Sequence, residues 1–414
     1  MRTTATPPIR VDGHVAAGFE PVARCFADRA FEVGQGGAAF AATVDGELVV
    51  DLWAGYAGEH PWRRETRAVL MSVTKQLATL ALGRLIERGQ LDVEAPVAHY
   101  WPEFAAAGKA AVTVAELLAH MAGLVVVPGY ESFLGPDGTG WDQRDEIVDR
   151  LARSRPAWSA GSASGYHALT MGWLVDELAE RAGGRSVGSI LRDEIARPFQ
   201  LDLDLGTPRS SQRLVAPIIG PGARPNPPGR LGDGLQDPGS LLSRSLFAVD
   251  GRTLHDSVDV LLNDQDRLAM ELPFGNATGT ARSLAVLNGA LAAGGRLGNG
   301  SVLRPATIEL LTRERFHGTD CLTGLPARWG LGIRRNLPAT RGATSSWGPH
   351  ESAFGFDGLG GQISFTDPGA GVGAGFVRSN FTWTSELGRR LVDSLYSCVR
   401  ERCAACRRGV GGLH

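Results

Sequence analysis

Residues 71–82 read Met-Ser-Val-Thr-Lys-Gln-Leu-Ala-Thr-Leu-Ala-Leu, and the rest of the chain is organised around this stretch. From Leu77 to Ile86 apolar side chains cover almost all sides, which is typical of a helix buried inside a domain. Ser72 and Lys75 are three residues apart, so on a helix they are surface neighbours. The stretch therefore predicts a buried helix whose start carries a hydroxyl and an amine within reach of each other.

Lysine is rare in this chain, which makes Lys75 informative. Of the 42 lysine and arginine residues only Lys75 and Lys109 are lysines, so arginine serves wherever a positive charge is enough. A desolvated lysine amine can lose its proton, whereas a guanidinium stays charged. A Ser-x-x-Lys pattern should arise by chance only ~0.1 times in such a chain, and its chemical interpretation is a nucleophile beside a base. The structural alternative is a helix-start serine beside a lysine whose ammonium reaches solvent.

The charge balance excludes several classes of partner. The formal net charge is -2 with acidic and basic residues interspersed, so no basic stripe for nucleic acid or cationic amphipathic helix is present. No stretch approaches the ~18 apolar residues of a membrane span, and residues 1–24 lack the apolar core of a signal peptide. We therefore expect a cytoplasmic protein that acts on a small-molecule substrate and binds neither nucleic acid nor membrane. The oligomeric state stays open.

The five cysteines do not have the pattern of a disulfide framework in a chain of this length. Cys398, Cys403 and Cys406 cluster near the C-terminus with His414 beyond them. A zinc site usually needs paired Cys-x-x-Cys units and a fourth well-placed ligand, which this cluster lacks. We expect no metal and no other cofactor, and we assign these cysteines to the end of a last helix and its tail.

Strand patterns lie at both ends of the chain, with helical patterns between them. Residues 38–53 predict two strands joined at Asp45-Gly46, a dipeptide that favours tight hairpin turns. Further strands are predicted over 329–335, 361–366 and 371–379, before a terminal helix over 385–402. This order predicts an α+β fold, an α/β sandwich in which one antiparallel sheet is built from both chain ends and flanked by helices.

The same order divides the chain into parts. Residues 1–65 plus 300–402 are predicted to form the sheet domain, 66–299 an inserted, mostly helical region, and 403–414 a flexible tail. Within the insertion, the Pro/Gly-rich residues 217–241 show no usable periodicity and are predicted to be irregular. They could cross the surface and rim the site, or they could link two domains.

Two aromatic side chains stand beside short helices of the insertion. Thr113-Val-Ala-Glu116 has the form of a capping box, which places His120 at the end of a short helix, where we expect a structural role. Tyr166 follows the turn-rich residues 156–165 and precedes a helix with an apolar face. This position would let the Tyr166 side chain point into a cleft.

Three motifs together resemble the serine beta-lactamase-related family, which includes class C beta-lactamases, penicillin-binding proteins and family VIII carboxylesterases. They are the Ser-x-x-Lys motif at 72–75, Gly-Tyr-His-Ala-Leu-Thr at 165–170 and Phe-Gly-Phe-Asp-Gly-Leu-Gly-Gly at 354–361. Their order and element contexts are much more specific than any single motif. The resemblance covers roughly residues 35–400 and implies a beta-lactamase/transpeptidase-like fold.

The resemblance implies a role for each matching residue. Ser72 would be the nucleophile that forms an acyl-enzyme, and Lys75 and Tyr166 would together remove and relay its proton. The motif does not decide which of the two is the formal base. The backbone N–H groups of Ser72 and Leu359 would form the oxyanion hole, and Gly358 would let the substrate lie against that backbone.

Two positions depart from the family pattern. The lactamase Tyr-x-Asn motif has Ala168 at its third position here, so no side-chain amide is available to a substrate carbonyl. The third motif normally begins with Lys or His, and here the matching residue is Phe356. A beta-lactam carboxylate needs a cation at that spot, although His350 or a nearby arginine could restore the charge.

These features predict an enzyme that hydrolyses a carboxylic ester whose acyl part is neutral or apolar near Phe356. The alternative is an acyltransferase that passes the acyl group to an amine or alcohol in natural-product assembly. Beta-lactamase or D-amino-acid peptidase activity is a weaker candidate because of Ala168 and Phe356. A non-catalytic binding protein on the same scaffold is the weakest, since Ser72, Lys75 and Tyr166 are intact.

Overall fold

The computed structural model describes residues 9–30, 34–220, 229–250, 252, 254–337, 347–383 and 386–410. Its strands are β1 (Val11–Val15), β2 (Gly37–Val44), β3 (Glu47–Ala57), β4 (His60–Pro61), β5 (Ala68–Val69), β6 (Leu203–Asp204), β7 (Thr278–Gly279), β8 (Arg296–Leu297), β9 (Gly300–Ser301), β10 (Phe316–Thr319), β11 (Pro326–Trp329), β12 (Arg334–Arg335), β13 (Phe354–Asp357), β14 (Ile363–Asp367) and β15 (Val372–Arg378).

The α-helices are α1 (Glu20–Asp28), α2 (Val73–Glu87), α3 (Val97–Tyr100), α4 (Val114–Leu118), α5 (Arg144–Arg153), α6 (Thr170–Gly183), α7 (Val187–Ile190), α8 (Arg209–Gln212), α9 (Arg230–Gln236), α10 (Leu241–Ser245), α11 (Leu254–Leu262), α12 (Gln265–Ala269), α13 (Ala281–Ala292), α14 (Pro305–Thr312) and α15 (Glu386–Val410). Short 3-10 helices cover Pro102–Gly108 and Tyr130–Ser132, and a π-helical turn covers Leu191–Ala196.

The main sheet is antiparallel and joins the two ends of the chain. Within the described residues it has ten strands in the order β1-β3-β2-β15-β14-β13-β12-β11-β10, with β4 extending β3. β2 and β15 meet in its middle, where Val44 lies opposite Val372 and Ala38 opposite Arg378. The predicted sheet assembled from both chain ends, with a mostly helical region between its halves, is confirmed.

The first hairpin forms where its turn residues predict it. Asp45 and Gly46 join β2 to β3, and both have a left-handed backbone, at φ 51° and 81°. Two consecutive residues with positive φ give a turn whose twist matches that of the flanking strands. The hairpin therefore sets the register in which Val44 lies opposite Glu47.

Alternate residues of β2 face opposite sides of the sheet, as the period of a strand requires. Ala38, Phe40 and Ala42 belong to the core layer that includes α1 and α15, whereas Ala39 and Ala41 belong to the layer that includes α2. Every residue of β2 is buried. Helices thus cover both faces of the sheet.

Helix α13 lies against the centre of the sheet through two glycines. A Cβ on Gly373 would come within 2.0 Å of the Gly289 nitrogen, so a larger residue there would push the helix off the strand. The Thr43 hydroxyl also donates to the Ala285 carbonyl oxygen at 3.2 Å. α13 therefore packs against the sheet, although it lies within residues 66–299, which the sequence assigns to the inserted region.

Helix α2 has the buried character that its sequence predicts. Twelve of its 15 residues are buried, and it contacts β13 as well as α6, α7 and α14. Ser72 precedes its first residue, and Gly89 follows it at φ 70°, a backbone conformation that suits glycine. The predicted helix between Ser72 and Gly89 is confirmed.

Residues 329–335, predicted to be one strand, form a tight hairpin instead. β11 ends at Trp329 and β12 begins at Arg334, and the Gly330 N–H donates to the Ile333 carbonyl oxygen at 2.9 Å. Gly332 has φ 64°, which a β-branched or bulky residue rarely adopts. The turn places Arg334 directly opposite Trp329 in the sheet.

Two further segments differ from their predictions. α9 begins at Arg230, inside the stretch 217–241 predicted to be irregular, of which residues 221–228 lie outside the described residues. α15 continues to Val410, beyond the predicted helix end at 402, because residues 403–408 contain no glycine or proline. Of the predicted tail, residues 411–414 lie outside the described part of the chain.

The C-terminal helix carries the clustered cysteines. Cys398 is 2% exposed and packs in the core as a free thiol, whereas the side chains of Cys403 and Cys406 lie outside the described part. Among the described helices, none combines the length and the apolar character needed to cross a membrane.

Candidate active site

Hydrogen bonds to the loop before β7 fix the start of α2. The Leu70 N–H donates to the Ala277 carbonyl oxygen at 2.7 Å, and the Ala277 N–H donates to Thr74 Oγ1 at 3.1 Å. Met71 has a left-handed backbone at φ 51°, an uncommon conformation for a side chain of its size. This turn delivers Ser72 to the wall of a cavity.

Lys75 brings its amine to the Ser72 hydroxyl from one turn further along α2. Its Nζ lies 3.3 Å from Ser72 Oγ and 2.7 Å from the Phe274 carbonyl oxygen, and the residue is 2% exposed. Burial, reinforced by the positive charge of Arg334, lowers the pKa of Lys75 well below its ordinary value. A neutral amine at this distance can accept the serine proton.

A buried carboxylate holds Tyr166 beside the same cavity. The Tyr166 N–H donates to Asp320 Oδ2 at 2.7 Å, and Asp320 Oδ1 accepts from the N–H groups of Leu322 and Thr323 at 3.1 and 2.8 Å. Asp320 is 3% exposed. The carboxylate therefore ties the loop before α6 to the loop between β10 and β11, and it fixes the backbone from which the Tyr166 side chain projects.

Aromatic rings enclose the Tyr166 side chain. It stacks on Trp329 with centroids 5.8 Å apart and planes 5° apart, and its edge contacts His120 at 5.1 Å. Burial raises the pKa of Tyr166 to about 12, although Arg334 and the nearby Ser72 hydroxyl act in the opposite direction. The Tyr166 hydroxyl oxygen is covered from solvent and makes no hydrogen bond with a described residue, and the raised pKa keeps it protonated at physiological pH.

His120 packs behind Tyr166, in agreement with the structural role predicted for it. Its Nδ1 accepts from the His167 N–H at 3.2 Å, and the His167 ring is fixed by the Gly165 carbonyl oxygen at 2.8 Å and the Leu124 N–H at 3.0 Å. Burial lowers the pKa of His167 to about 4 and that of His120 well below its ordinary value. Both rings are therefore neutral at physiological pH.

The end of β13 brings a second backbone segment to the cavity, which Leu359 and Gly358 line together with Ser72. Neither the Ser72 N–H nor the Leu359 N–H donates to an acceptor among the described residues. Two such N–H groups beside a nucleophile suit the oxygen that becomes negative during acyl transfer. The structure thus brings both predicted oxyanion-hole residues to one cavity.

Of the two third-motif residues predicted to contact substrate, Gly358 lines the cavity and Phe356 does not. A Cβ on Gly358 would lie 2.7 Å from the Leu70 carbonyl oxygen, so this glycine permits close packing of the strand end on the start of α2. Phe356 is 1% exposed and does not line the cavity. Its ring packs against Tyr166 and Trp329 with centroids at 6.2 and 5.8 Å, since strand alternation turns it toward the core, and it shapes the site through Tyr166.

The cavity has a volume of about 260 Å³ and a mostly apolar wall. Ala168 contributes to this wall, at the position where the Tyr-x-Asn motif would place an asparagine amide. Helices α9, α10 and α11 supply seven further side chains, so part of the stretch 217–241 does rim the site. These side chains are Leu231, Leu235, Leu242, Leu254, Val258, Leu261 and Leu262.

Charged side chains line another part of the same cavity. Arg334 and Arg389 both reach it, together with Asp357, which directly precedes Gly358. The positive charge that a Lys or His of the third motif would supply is therefore present, from β12 and α15. His350, the other candidate for this charge, hydrogen-bonds instead to the buried Asp367 at 2.8 Å and does not line the cavity.

Several contributors to the site escape interpretation from sequence. Phe274 acts through a backbone carbonyl, which carries no residue-type signal. Arg334 is one arginine among many, and only the hairpin turn before it shows where it lies. Asp320 is distant from Tyr166 in sequence. Asp357 does have a signal, because it stands directly before the glycine of the third motif.

Comparison with known proteins identifies the family of the chain. The family profile described as Beta-lactamase matches residues 22–393. A curated relative, Esterase/beta-lactamase LipL from Mycobacterium tuberculosis, is 32% identical over 96% of this chain and 90% of its own length. Two solved structures, a penicillin-binding protein homolog from Caulobacter crescentus and a family VIII carboxylesterase, are 34% and 33% identical with TM-scores of 0.81 and 0.79, and each alignment covers 94% of this chain and 100% of theirs. The chain is therefore a serine-hydrolase-type enzyme that belongs to the beta-lactamase family.

Proposed function

We propose that the protein is an esterase that hydrolyses carboxylic esters through a covalent acyl-enzyme on Ser72. The observation that carries this proposal is the buried Lys75 amine, which lies 3.3 Å from Ser72 Oγ and has a lowered pKa. A serine hydroxyl is a weak nucleophile until an adjacent base takes its proton. The likeness to a family VIII carboxylesterase supports an ester as the substrate.

In the acylation step, neutral Lys75 accepts the Ser72 proton while Oγ forms a bond to the ester carbonyl carbon. The carbonyl oxygen becomes negatively charged, and the N–H groups of Ser72 and Leu359 donate hydrogen bonds to it. The Phe274 carbonyl oxygen, 2.7 Å from Lys75 Nζ, accepts from the ammonium that forms. This contact stabilises Lys75 in its brief charged state.

Tyr166 completes the proton transfer to the leaving group. Because its pKa is raised to about 12, it is a neutral phenol at physiological pH. As the carbonyl re-forms and the bond between the carbonyl carbon and the alcohol oxygen breaks, Tyr166 protonates that oxygen and receives a proton from Lys75. These opposite shifts favour Lys75 as the base, the choice that the sequence leaves open. Water then attacks the acyl-enzyme by the reverse proton path, which releases the acid and restores Ser72.

The cavity wall favours an apolar acyl group. Leucines of α9, α10 and α11 surround about 260 Å³ of space beside Ser72. Each CH₂ group moved from water into such a wall contributes about 0.8 kcal/mol. We therefore infer that the acyl part of the substrate is a short to medium aliphatic chain, and that the substrate is a small molecule.

The test is hydrolysis of p-nitrophenyl esters from acetate to decanoate, with and without amine or alcohol acceptors. The esterase predicts turnover in water that acceptors leave unchanged and that Ser72→Ala abolishes. A new amide or ester product formed faster than the acid would replace this assignment with the acyltransferase. Folded protein that neither hydrolyses these esters nor forms an acyl-enzyme would overturn the proposal.

A second candidate is hydrolysis of beta-lactams, which one observation favours. Arg334 and Arg389 line the cavity and supply the positive charge that Phe356 cannot. Asp357 lies in the same part of the cavity and opposes a carboxylate when it is ionised. Turnover of a chromogenic cephalosporin by wild-type protein, lost in Ser72→Ala, would establish this activity, and its absence would remove the candidate.

A further inference from the structure

Asp357 lies beside the residues that would carry out the ester reaction. It is the last residue of β13, immediately before Gly358 and Leu359, and it lines the same cavity as Ser72. The mechanism proposed above does not use it. Keeping a carboxylate beside an apolar acyl-binding wall costs free energy, so we expect this carboxylate to have a function.

The two oxygens of Asp357 have different surroundings. The Trp347 indole N–H donates to Oδ1 at 3.0 Å, which fixes the orientation of the carboxylate. Oδ2 is covered from solvent and has no hydrogen-bond partner among the described residues. Burial raises the pKa of Asp357 to about 6, although Arg334, Trp347 and Arg389 act in the opposite direction. A covered acceptor without a donor at the wall of a cavity indicates a donor on the ligand.

The charges around Asp357 limit what that donor can be. An ammonium group would approach a carboxylate favourably, but Arg334 and Arg389 line the same part of the cavity and would repel it. A ligand carboxylate has no hydrogen to donate, and ionised Asp357 would repel it. A neutral hydroxyl fits, because it donates to a carboxylate without adding charge.

We propose that Asp357 is a specificity-determining residue that accepts a hydrogen bond from a hydroxyl group of the ester substrate. This inference rests on the proposed esterase function and names its substrate class as hydroxyl-bearing esters. The hydroxyl belongs either to the alcohol part of the ester or to its acyl chain. Trp347 positions the carboxylate for this contact.

Matched substrates that differ by one hydroxyl test the proposal. Ethyl butyrate is the reference, 2-hydroxyethyl butyrate carries the hydroxyl on the alcohol part, and ethyl 3-hydroxybutyrate carries it on the acyl part. A site built to bind a substrate hydroxyl discriminates against the analogue that lacks it. We expect wild-type protein to prefer one of the two hydroxyl esters in kcat/KM by roughly 10-fold or more over ethyl butyrate. The preferred ester identifies where the hydroxyl lies.

Asp357→Asn should lower that preference several-fold. The Trp347 N–H requires an acceptor, so the amide oxygen of the variant must face Trp347 and its NH₂ group must take the place of Oδ2. The substrate hydroxyl must then accept from a neutral amide instead of donating to a carboxylate, and this contact is weaker. Glu351→Gln is the matched control, because it removes a carboxylate from the exposed turn before β13 and should keep the wild-type preference.

The outcomes separate this inference from the proposed function. Ethyl butyrate hydrolysis with no preference for either hydroxyl ester, or a preference that Asp357→Asn retains, overturns the role of Asp357 and leaves the esterase intact. Binding of the same three esters to Ser72→Ala protein, followed by ligand-observed NMR, tests the contact without turnover. Equal affinities for all three esters overturn the inference even in protein that hydrolyses none of them.

Discussion

The Lys75 amine lies 3.3 Å from Ser72 Oγ, inside the molecule and in the first turn of α2, a helix with twelve of its 15 residues buried. Its second contact is a neutral carbonyl oxygen, that of Phe274, and no carboxylate forms an ion pair with it in the described part of the chain. A buried amine without a counter-charge favours its neutral form. This geometry supports the proposal that Ser72 is the nucleophile and Lys75 its base.

Lys75→Arg should abolish acylation while the fold persists. A guanidinium keeps the positive charge but cannot lose its proton, so Ser72 would have no base. We expect a loss of about 10³-fold or more in kcat/KM for p-nitrophenyl butyrate. Lys109→Arg is the control, since that buried lysine donates to the Ala106 carbonyl oxygen at 2.8 Å and does not line the cavity. Activity retained in Lys75→Arg, with a wild-type circular dichroism spectrum, would show that Lys75 is not the base.

The pH dependence of kcat/KM should have one acidic limb and a broad plateau. Activity requires neutral Lys75, so it should rise with pH through a pKa well below the ordinary lysine value. Tyr166 must remain protonated, and its pKa of about 12 places no alkaline limb below that pH. Steady-state rates from pH 5 to 10 measure both features. A decline between pH 8 and 10 in folded protein would contradict the neutral role given to Tyr166.

Tyr166→Phe should lower kcat by roughly 10² to 10⁴ without changing the packing of its ring. The variant keeps the aromatic stack on Trp329 at 5.8 Å and removes only the hydroxyl. Tyr100→Phe serves as the control, because Tyr100 does not line the cavity and its hydroxyl accepts from the Asp92 N–H. An unchanged kcat in Tyr166→Phe would assign the leaving-group proton to another donor.

The preference for acyl chain length should change when a cavity-lining residue of α11 is replaced, and it should stay the same when an exposed residue of α11 is replaced. Leu261 is fully buried and lines the cavity, whereas its neighbour Val260 is 69% exposed. Leu261→Phe fills part of the cavity and should lower kcat/KM for p-nitrophenyl octanoate about 10-fold relative to acetate. Val260→Phe should leave that ratio unchanged. Equal effects of the two substitutions would contradict an acyl pocket bounded by α11.

Asp357→Asn should stabilise the protein above pH 6 more than at pH 4. The folded state holds the Asp357 proton up to about pH 6 and the unfolded chain releases it near 3.8, so its contribution to stability falls as pH rises between these values. The asparagine variant does not titrate, and its gain over wild type should grow by up to about 3 kcal/mol from pH 4 to 7. Chemical denaturation at both pH values measures this difference. A gain independent of pH would show that Asp357 does not ionise in this range.

Local patterns predicted the elements well, and their packing less well. The hairpin at Asp45-Gly46 and the buried helix after Ser72 depend on neighbouring residues, so both follow from sequence. The assignment of α13 to the sheet depends on Gly289 and Gly373, which are far apart in the chain and meet only in the fold. The sequence pattern does not predict the hairpin at 330–333, because a short turn with two glycines interrupts an otherwise strand-like run.

The same distinction applies to the site. Ser72 and Lys75 share one helical turn, and Tyr166 belongs to a motif, so the sequence alone could single out all three as candidates, and the structure brings them together. The hairpin turn determines where Arg334 lies, and the direction in which β13 projects its side chain determines where Asp357 lies. Such orientations depend on strand register and packing, which residue types do not encode position by position.

The proposed mechanism depends on Ser72 as the nucleophile that carries the acyl group. Treatment with a fluorophosphonate probe, followed by digestion and peptide mass spectrometry, tests it directly. We expect one adduct, on Ser72, and its disappearance in both Ser72→Ala and Lys75→Arg proteins that remain folded. An adduct on another residue, or full ester hydrolysis by Ser72→Ala, would contradict Ser72 as the nucleophile.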